Sequence, residues 1–240
     1  MKILTVVGAR PQFIKLAPLS KILRENGVNE IIVHTGQHYD ENMNDLFFKE
    51  LEIPKSDYNL GIGSGNHGEQ TGRMLIEIEK VILKENPDPV IVYADTNSTF
   101  AGALAGSKLH VKLAHVEAGL RSFNKRMPKE INRVLTDHVS DILFCPTQTS
   151  VENLKNEGIV KGVYLVSDVM FDALLHFSKI SDMKNNVLER LNIKPNEYYL
   201  DKIHRAESMD NYERHKNMLT ALSKMDKIVV FLYMQGQEKW

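Results

Sequence analysis

A single cysteine, Cys145, stands among 240 residues. It excludes an internal disulfide framework and fits a reducing compartment. At the end of an apolar run it reads as a small buried residue rather than a nucleophile. No apolar stretch approaches the roughly 20 residues needed to cross a bilayer. The start, Met1-Lys2-Ile3-Leu4-Thr5-Val6-Val7-Gly8, is too short for the apolar region of a signal peptide and has no small-residue cleavage site. Basic residues number 30 and acidic ones 31, so neither nucleic acid nor an anionic membrane is indicated as a partner. Internal repeats and low-complexity tracts are missing, and the Gly8-Ala9-Arg10-Pro11 turn is neither a GxGxxG fingerprint nor a P-loop. HExxH and paired His–Cys spacing are also missing, which argues against a metal site. The expectation is a soluble, cytoplasmic protein.

What is present is alternation. Short apolar runs read as strands at Ile3–Val7, Glu30–Thr35, Val90–Tyr93, Val111–Val116, Ile142–Cys145 and Gly162–Val166. Helix-period segments separate them at Pro11–Glu25, Glu41–Leu51, Glu69–Glu85, Ser98–Leu109, Lys129–Val139, Ser150–Glu157 and Val169–Ser178. Strands apolar on both faces and alternating with helices predict an α/β fold with a doubly wound, Rossmann-like parallel sheet. The segment Ile53–His67 is a long loop, a kind often functional. We expect one domain over 1–168 and the opening of a second α/β domain over 169–240, with strands near Tyr198–His204 and Lys227–Tyr233. Two strands and a few helices are too few for an independent sheet, so the second domain reads as truncated.

The chemistry-bearing residues gather where strands end. Gly8-Ala9-Arg10-Pro11 closes the first strand and opens a helix, with Lys15 one turn further in. A helix N-terminus with two added cations suits a phosphate or a developing anion, and equally a solvated helix start. Thr35-Gly36-Gln37-His38 follows the second strand, where His38 is a ligand contact or a loop residue. Asp95 follows Val90–Tyr93; it is a base, a sugar-hydroxyl partner or a helix cap. Neighbouring Thr96, Asn97 and Ser98 offer other caps. Glu117 and Glu130 come from the next strand end and helix start, and two carboxylates converging in a partly dry cleft push each other's pKa upward, which suits proton transfer at carbon. Arg121 and Arg133 bind phosphate or neutralise the two glutamates. Near the end, His204-Arg205-Ala206-Glu207 leaves a strand and reads as an acid, a base, a diphosphate contact or a surface turn.

Taken in order, GARPQFIKLAPL, TGQH, GEQTGRML, ADTNST, HVEAGLRS, MPKEINRVLTDH and IHRAESMDN resemble the UDP-N-acetylglucosamine 2-epimerase family, and most closely its non-hydrolysing type. The resemblance covers the chain to about Val230, and HVEAGLRS with Pro-x-Glu-x-x-Asn-Arg is its most specific part. It implies the two-domain architecture of the B-type glycosyltransferases, with the active site in a cleft. It also implies interconversion of UDP-N-acetylglucosamine and UDP-N-acetylmannosamine by inversion at carbon 2, through elimination and re-addition of UDP. By matched position Asp95, Glu117, Glu130 and His204 form the acid–base group. Arg10, Lys15, Gln37, His38, Gln70, Arg121, Arg133 and Arg205 are the substrate contacts. The implied ligand is a UDP-sugar, with no cofactor, no nucleic acid and no membrane, and the expected assembly is a homodimer.

Several positions depart from that pattern. The glycine before the aspartate of ADTNST is Ala94 here, and the one before DVMFDA is Ser167. The strand before IHRAE carries Asp201-Lys202, charges whose burial unpaired would cost several kcal/mol. The tail from Phe231 to Trp240 matches nothing in the family. Yet one codon string for the expected Phe-Pro-Ile-His-Ala-Arg-Thr-Arg-Lys-Met yields this tail when one base is deleted, so a frameshift is the expectation, and a gene sequence lacking that second frame would sink it. The rivals are a catalytically dead remnant, a hydrolysing epimerase that releases N-acetylmannosamine, and a glycosyltransferase of similar fold, against which Glu117 and Glu130 argue.

Overall fold

The computed structural model describes residues 1–36, 49, 52–53, 55–184, 187–201 and 212–231. Its contacts divide the chain into two units, Met1–Ile180 and Ser181–Trp240.

Alternation along β1 (Lys2–Val7) explains why the first unit is layered. Leu4 and Val6 point into one apolar cluster, Ile3 and Val7 into another on the opposite face. The same parity holds in β4 (Pro89–Tyr93), where Val90 and Val92 face one cluster and Ile91 and Tyr93 the other. A strand buried on both faces needs helices on both. One face is covered by α2 (His67–Glu85) and α3 (Asn97–Lys108), and the other by α1 (Arg10–Glu25). Each fully buried Leu, Ile, Val or Phe contributes about 1.5–3 kcal/mol of burial free energy before entropy is counted.

The sheet has seven strands in the order β3-β2-β1-β4-β5-β6-β7, with every pairing parallel. The remaining members are β2 (Asn29–His34), β3 (Tyr58–Asn59), β5 (Lys112–Val116), β6 (Ile142–Cys145) and β7 (Val163–Leu165). Central registers are Leu4↔Val90, Val92↔His115 and His115↔Leu143. Helices α4 (Pro128–Val139), α5 (Gln148–Asn156) and α6 (Val169–Lys184) complete the unit. This is the doubly wound parallel sheet expected from the sequence, with strand bounds within a residue or so.

One strand was not foreseen. Tyr58–Asn59 lies inside the segment read as a loop and pairs with Val33 and His34. Asp57 caps the junction by accepting from the Ile32 amide at 2.8 Å, and the Tyr58 hydroxyl donates to Glu85 at 2.5 Å. Two paired residues are too short to show a period. The helix expected at Glu41–Leu51 lies outside the described residues apart from Lys49.

The second unit contains α7 (Val187–Leu191), β8 (Tyr198–Asp201), α8 (Tyr212–Leu222) and β9 (Ile228–Phe231). Its two strands are parallel, with Tyr198 opposite Ile228. One Asp201 carboxylate oxygen is buried with no hydrogen-bond partner among the described residues, the cost anticipated for a charge in this strand. Lys202 lies outside the described residues, as do the strand ends foreseen at His204 and Tyr233.

Candidate active site

In a parallel sheet all strands finish at one edge, and the loops leaving β1, β4 and β5 meet there. Gly8 makes the first approach possible. A Cβ at that position would stand 2.0 Å from the Thr35 hydroxyl and 2.2 Å from the Ser98 hydroxyl, so only glycine fits. The helix that follows starts at Arg10-Pro11, with Pro in the first turn where its missing N–H is not needed. Gln12, fully buried, organises this start. Its carbonyl accepts from the amides of Gly8 and Ala9, both at 2.9 Å, while its amide donates to the Tyr93 carbonyl at 2.9 Å and the Thr99 hydroxyl at 3.0 Å. The loop leaving β1 is thereby pinned to the end of β4 and the helix that follows it. Sequence reasoning overlooked Gln12, because an amide inside a helix carries no motif.

These loops enclose a cleft of about 420 Å³ bordered by Lys15, Gln70, Asp95, Asn97, Glu117 and Asn132. Lys15, one turn into α1, forms an ion pair with Glu117, and their side chains are 8% and 12% exposed. Arg133, from α4, forms one with Asp95, at 17% and 19% exposed. Asp95 is not the cap of α3: Thr96 does that work, accepting from the Thr99 amide at 3.2 Å. Glu117 has φ 69° and Ala94 has φ 57°, both left-handed. For non-glycine residues that conformation costs about 1–2 kcal/mol, and such strain gathers where a side chain must be aimed.

A chain of amides forms one wall. Asn132 donates to the Asp95 carbonyl and to the Asn97 carboxamide, both at 3.1 Å. Asn97 donates to Gln70 at 2.7 Å, and Gln70 to the Gly63 carbonyl at 2.8 Å. His67 stands 3.2 Å from Asn97. Of these, only Gln70 was foreseen. Glu117 also borders a second, apolar recess of about 240 Å³ among Leu19, Val116, Phe144, Val166 and Val169.

Two expectations require correction. Glu130 is 3% exposed and accepts from the Ser122 amide (3.0 and 3.1 Å), the Ser122 hydroxyl (2.9 Å) and the Phe123 amide (2.8 Å), with Arg133 at 3.4 Å. Burial favours its neutral form, but these donors and Arg133 outweigh it and hold the carboxyl below the usual range. Convergence with Glu117 was expected to raise it. As placed, Glu130 anchors the loop at 122–123.

Arg121 was expected to bind phosphate or to neutralise Glu117 and Glu130. Instead its side chain is 1% exposed and committed to Asp137 (2.6 Å) and, through a two-pronged contact, to Glu157 (2.7 and 2.7 Å). Burial works against its charge and the two carboxylates more than restore it, so its pKa is raised. Asp137, which sequence reasoning did not single out, is buried yet held below the ordinary aspartate range. Its burial penalty is overcome by His115 and Arg121. Asp137 also accepts from the Gly119 amide at 3.1 Å.

Arg10 opens α1 beside the cleft and is half-buried. Gln37, His38, His204 and Arg205 lie outside the described residues. Cys145 is fully buried, and burial pushes its thiol up to about 11, as fits a packing residue. Among the described residues no cluster of His, Cys, Asp and Glu is placed to hold a metal ion, and no helix is long and apolar enough to cross a membrane.

Known proteins share this sequence and fold. A family model described as UDP-N-acetylglucosamine 2-epimerase matches residues 20–238. A Methanococcus maripaludis protein named UDP-N-acetylglucosamine 2-epimerase homolog is 59% identical over 232 residues, 96% of this chain and 65% of that protein. A Pseudomonas aeruginosa protein named UDP-2,3-diacetamido-2,3-dideoxy-D-glucuronate 2-epimerase is 54% identical over 94% of this chain and 63% of its own length. The crystal structure of Methanocaldococcus jannaschii UDP-GlcNAc 2-epimerase with UDP-GlcNAc and UDP superposes with a TM-score of 0.88 at 48% identity, covering 100% of this chain and 67% of that one. The chain thus spans about 65% of the length of the relatives it matches.

Proposed function

Because the chain belongs to the UDP-N-acetylglucosamine 2-epimerase family, we propose that it carries the N-terminal side of a site that inverts carbon 2 of UDP-N-acetylglucosamine to give UDP-N-acetylmannosamine. In this reading residues 1–168 form the N-terminal domain, and 169–240 begin the domain that grips UDP. The protein works in the cytoplasm, as a homodimer. The observation that carries the reading is that Asp95 and Glu117 face one cleft from neighbouring strand ends, each held by a single cation.

The chemistry follows from that arrangement. A carboxylate removes the proton at carbon 2, the bond from carbon 1 to the diphosphate oxygen breaks, and UDP leaves with the electron pair. The product is 2-acetamidoglucal. Re-addition of UDP at carbon 1, with a proton delivered to the other face of carbon 2, completes the inversion. Two proton carriers on different loops suit delivery to two faces. Lys15, Arg10 and the start of α1 supply positive charge where the diphosphate develops its own. Glu130 and Arg121 hold the loop between β5 and α4, and in the same proposal His204 belongs to the acid–base group and Arg205 to the ligand contacts.

The test is proton NMR of UDP-N-acetylglucosamine with the purified chain in deuterated water. Deuterium at carbon 2 and a UDP-N-acetylmannosamine anomeric signal are expected. No exchange in the chain, together with no exchange after the relatives' remaining C-terminal length is appended, overturns the reading.

The 54% identity to the Pseudomonas aeruginosa protein favours a second substrate, a UDP-2,3-diacetamido uronic acid. Both sugars share the 2-acetamido group and the UDP leaving group, so the same cleft serves either. Competition between the two in the exchange assay decides.

A further inference from the structure

Beneath the cleft lies a group of ions that the proposed chemistry does not use. His115, next to the last residue of β5, is fully buried. Its Nδ1 is 2.6 Å from the Asp137 carboxylate on α4, and its Nε2 is 2.8 Å from the Ala94 carbonyl. A carbonyl oxygen only accepts, so Nε2 must carry a proton. The other Asp137 oxygen already accepts from Arg121 and from the Gly119 amide. Asp137 is also held below the ordinary aspartate range, so as a carboxylate it accepts toward Nδ1 as well, and both ring nitrogens donate. The charges around the ring balance. Asp137 and Glu157 are negative, Arg121 is positive, and the Cys145 thiol is neutral. A doubly protonated ring brings the group to zero, as burial demands. His138 touches the group only from its half-exposed rim, 3.4 Å from Glu157.

The endpoints of this group are informative. Ala94 directly precedes Asp95, and its own amide donates to the Val116 carbonyl, which directly precedes Glu117. Gly119, held by Asp137, lies two residues past Glu117. It is left-handed at φ 77°, and a Cβ there would meet the Ser150 carbonyl at 2.3 Å. The two strand ends that present the cleft carboxylates are thus fastened to one buried ring.

We propose that His115 is a positioning residue: protonated on both nitrogens, it ties the backbone before Asp95 to the carboxylate that anchors the loop after Glu117, and so sets the spacing of the two groups that handle the proton. The inference rests on the reading of Asp95 and Glu117 as the reacting carboxylates. Its first test does not require turnover. In the full chain labelled with nitrogen-15 histidine, both His115 ring nitrogens should resonate at the protonated position at pH 7, the signals being assigned by their loss in His115→Gln. One nitrogen at the unprotonated position overturns the clamp.

The second test is the exchange assay. His115→Phe, which fills the space but donates nothing, should lower turnover about 100-fold, as a displacement near 1 Å does, with KM within about threefold. A fall in binding alone, or full turnover, overturns the positioning role. Where Phe prevents folding, His115→Gln, whose amide reaches only one of the two acceptors, replaces it and should show an intermediate loss at the same KM. A parent chain that exchanges no deuterium removes the proposed activity and leaves the clamp to be decided by the ring signals.

Discussion

Two sets of carboxylates lie within a short stretch of this chain and live differently. In the cleft, Asp95 and Glu117 are partly open and each has one cation. Beneath and beside it, Glu130 and Asp137 are closed off and each is surrounded by donors. The residue types are the same. What separates a group able to exchange a proton from one that holds a loop is how many of its lone pairs remain unclaimed. Saturation by several donors lowers a carboxyl's pKa and fixes its position, which removes it from proton traffic and makes it a support.

The largest effect should come from opening the supporting set. Arg121→Ala leaves the buried Asp137 and the partly exposed Glu157 without their shared cation. A loss of about 3–5 kcal/mol is expected, read from urea unfolding at neutral pH. A loss under about 1 kcal/mol would break the distinction. Next comes the cleft set, where the balance should reverse. Lys15→Ala should reduce deuterium exchange about 100-fold or more, the scale of losing one preorganised electrostatic contact. Glu117 stays partly accessible to water after this change, so the stability cost should be well below that of Arg121→Ala.

A third comparison uses pH. Glu130, ordinarily near 4.5, is held lower in the fold. Its contribution to stability is therefore complete above the unfolded value and is lost as pH falls through the folded one. The stability gap between the parent and Glu130→Gln should be full at pH 7 and shrink below about pH 4, as followed by thermal unfolding across that range. A gap that widens on acidification would have the sign wrong. The smallest effects concern the backbone. Ala94 (φ 57°) and Ser167 (φ 71°) occupy left-handed positions where relatives were expected to carry glycine. Ala94→Gly and Ser167→Gly should each raise stability by about 0.5–1 kcal/mol, visible as a small rise in melting temperature.

Strands buried on both faces announce themselves as continuous apolar runs, which is why β1, β4, β5 and β6 fell where the residue pattern puts them. The gathering of Lys15, Asp95, Glu117 and Arg133 is legible too, because strand ends share one edge of a parallel sheet. What stayed hidden was pairing. Nothing in the order of residues says that Arg121 would turn to Asp137 and Glu157 rather than to Glu117 and Glu130. Nor does it say that backbone amides at 122 and 123 would claim Glu130. Main-chain donors leave no mark in the alphabet, and neither does Gln12, whose importance lies in reaching Tyr93 and Thr99 across 81 and 87 residues. The positive φ at Ala94 and Ser167 was readable only as a missing glycine.

The left-handed backbone at Glu117 has a consequence for how this position can change over generations. The main chain there is most comfortable with glycine, and the cleft asks for an acid. Lys15, nearly enclosed, in turn needs an acid opposite it. A library sorted for heat resistance alone would be pulled towards relaxing residue 117, but each such change strands a lysine. Relief becomes accessible only when positions 15 and 117 mutate together. The strained acid and its lysine thus behave as one inherited unit, which single-step drift can neither improve nor easily discard.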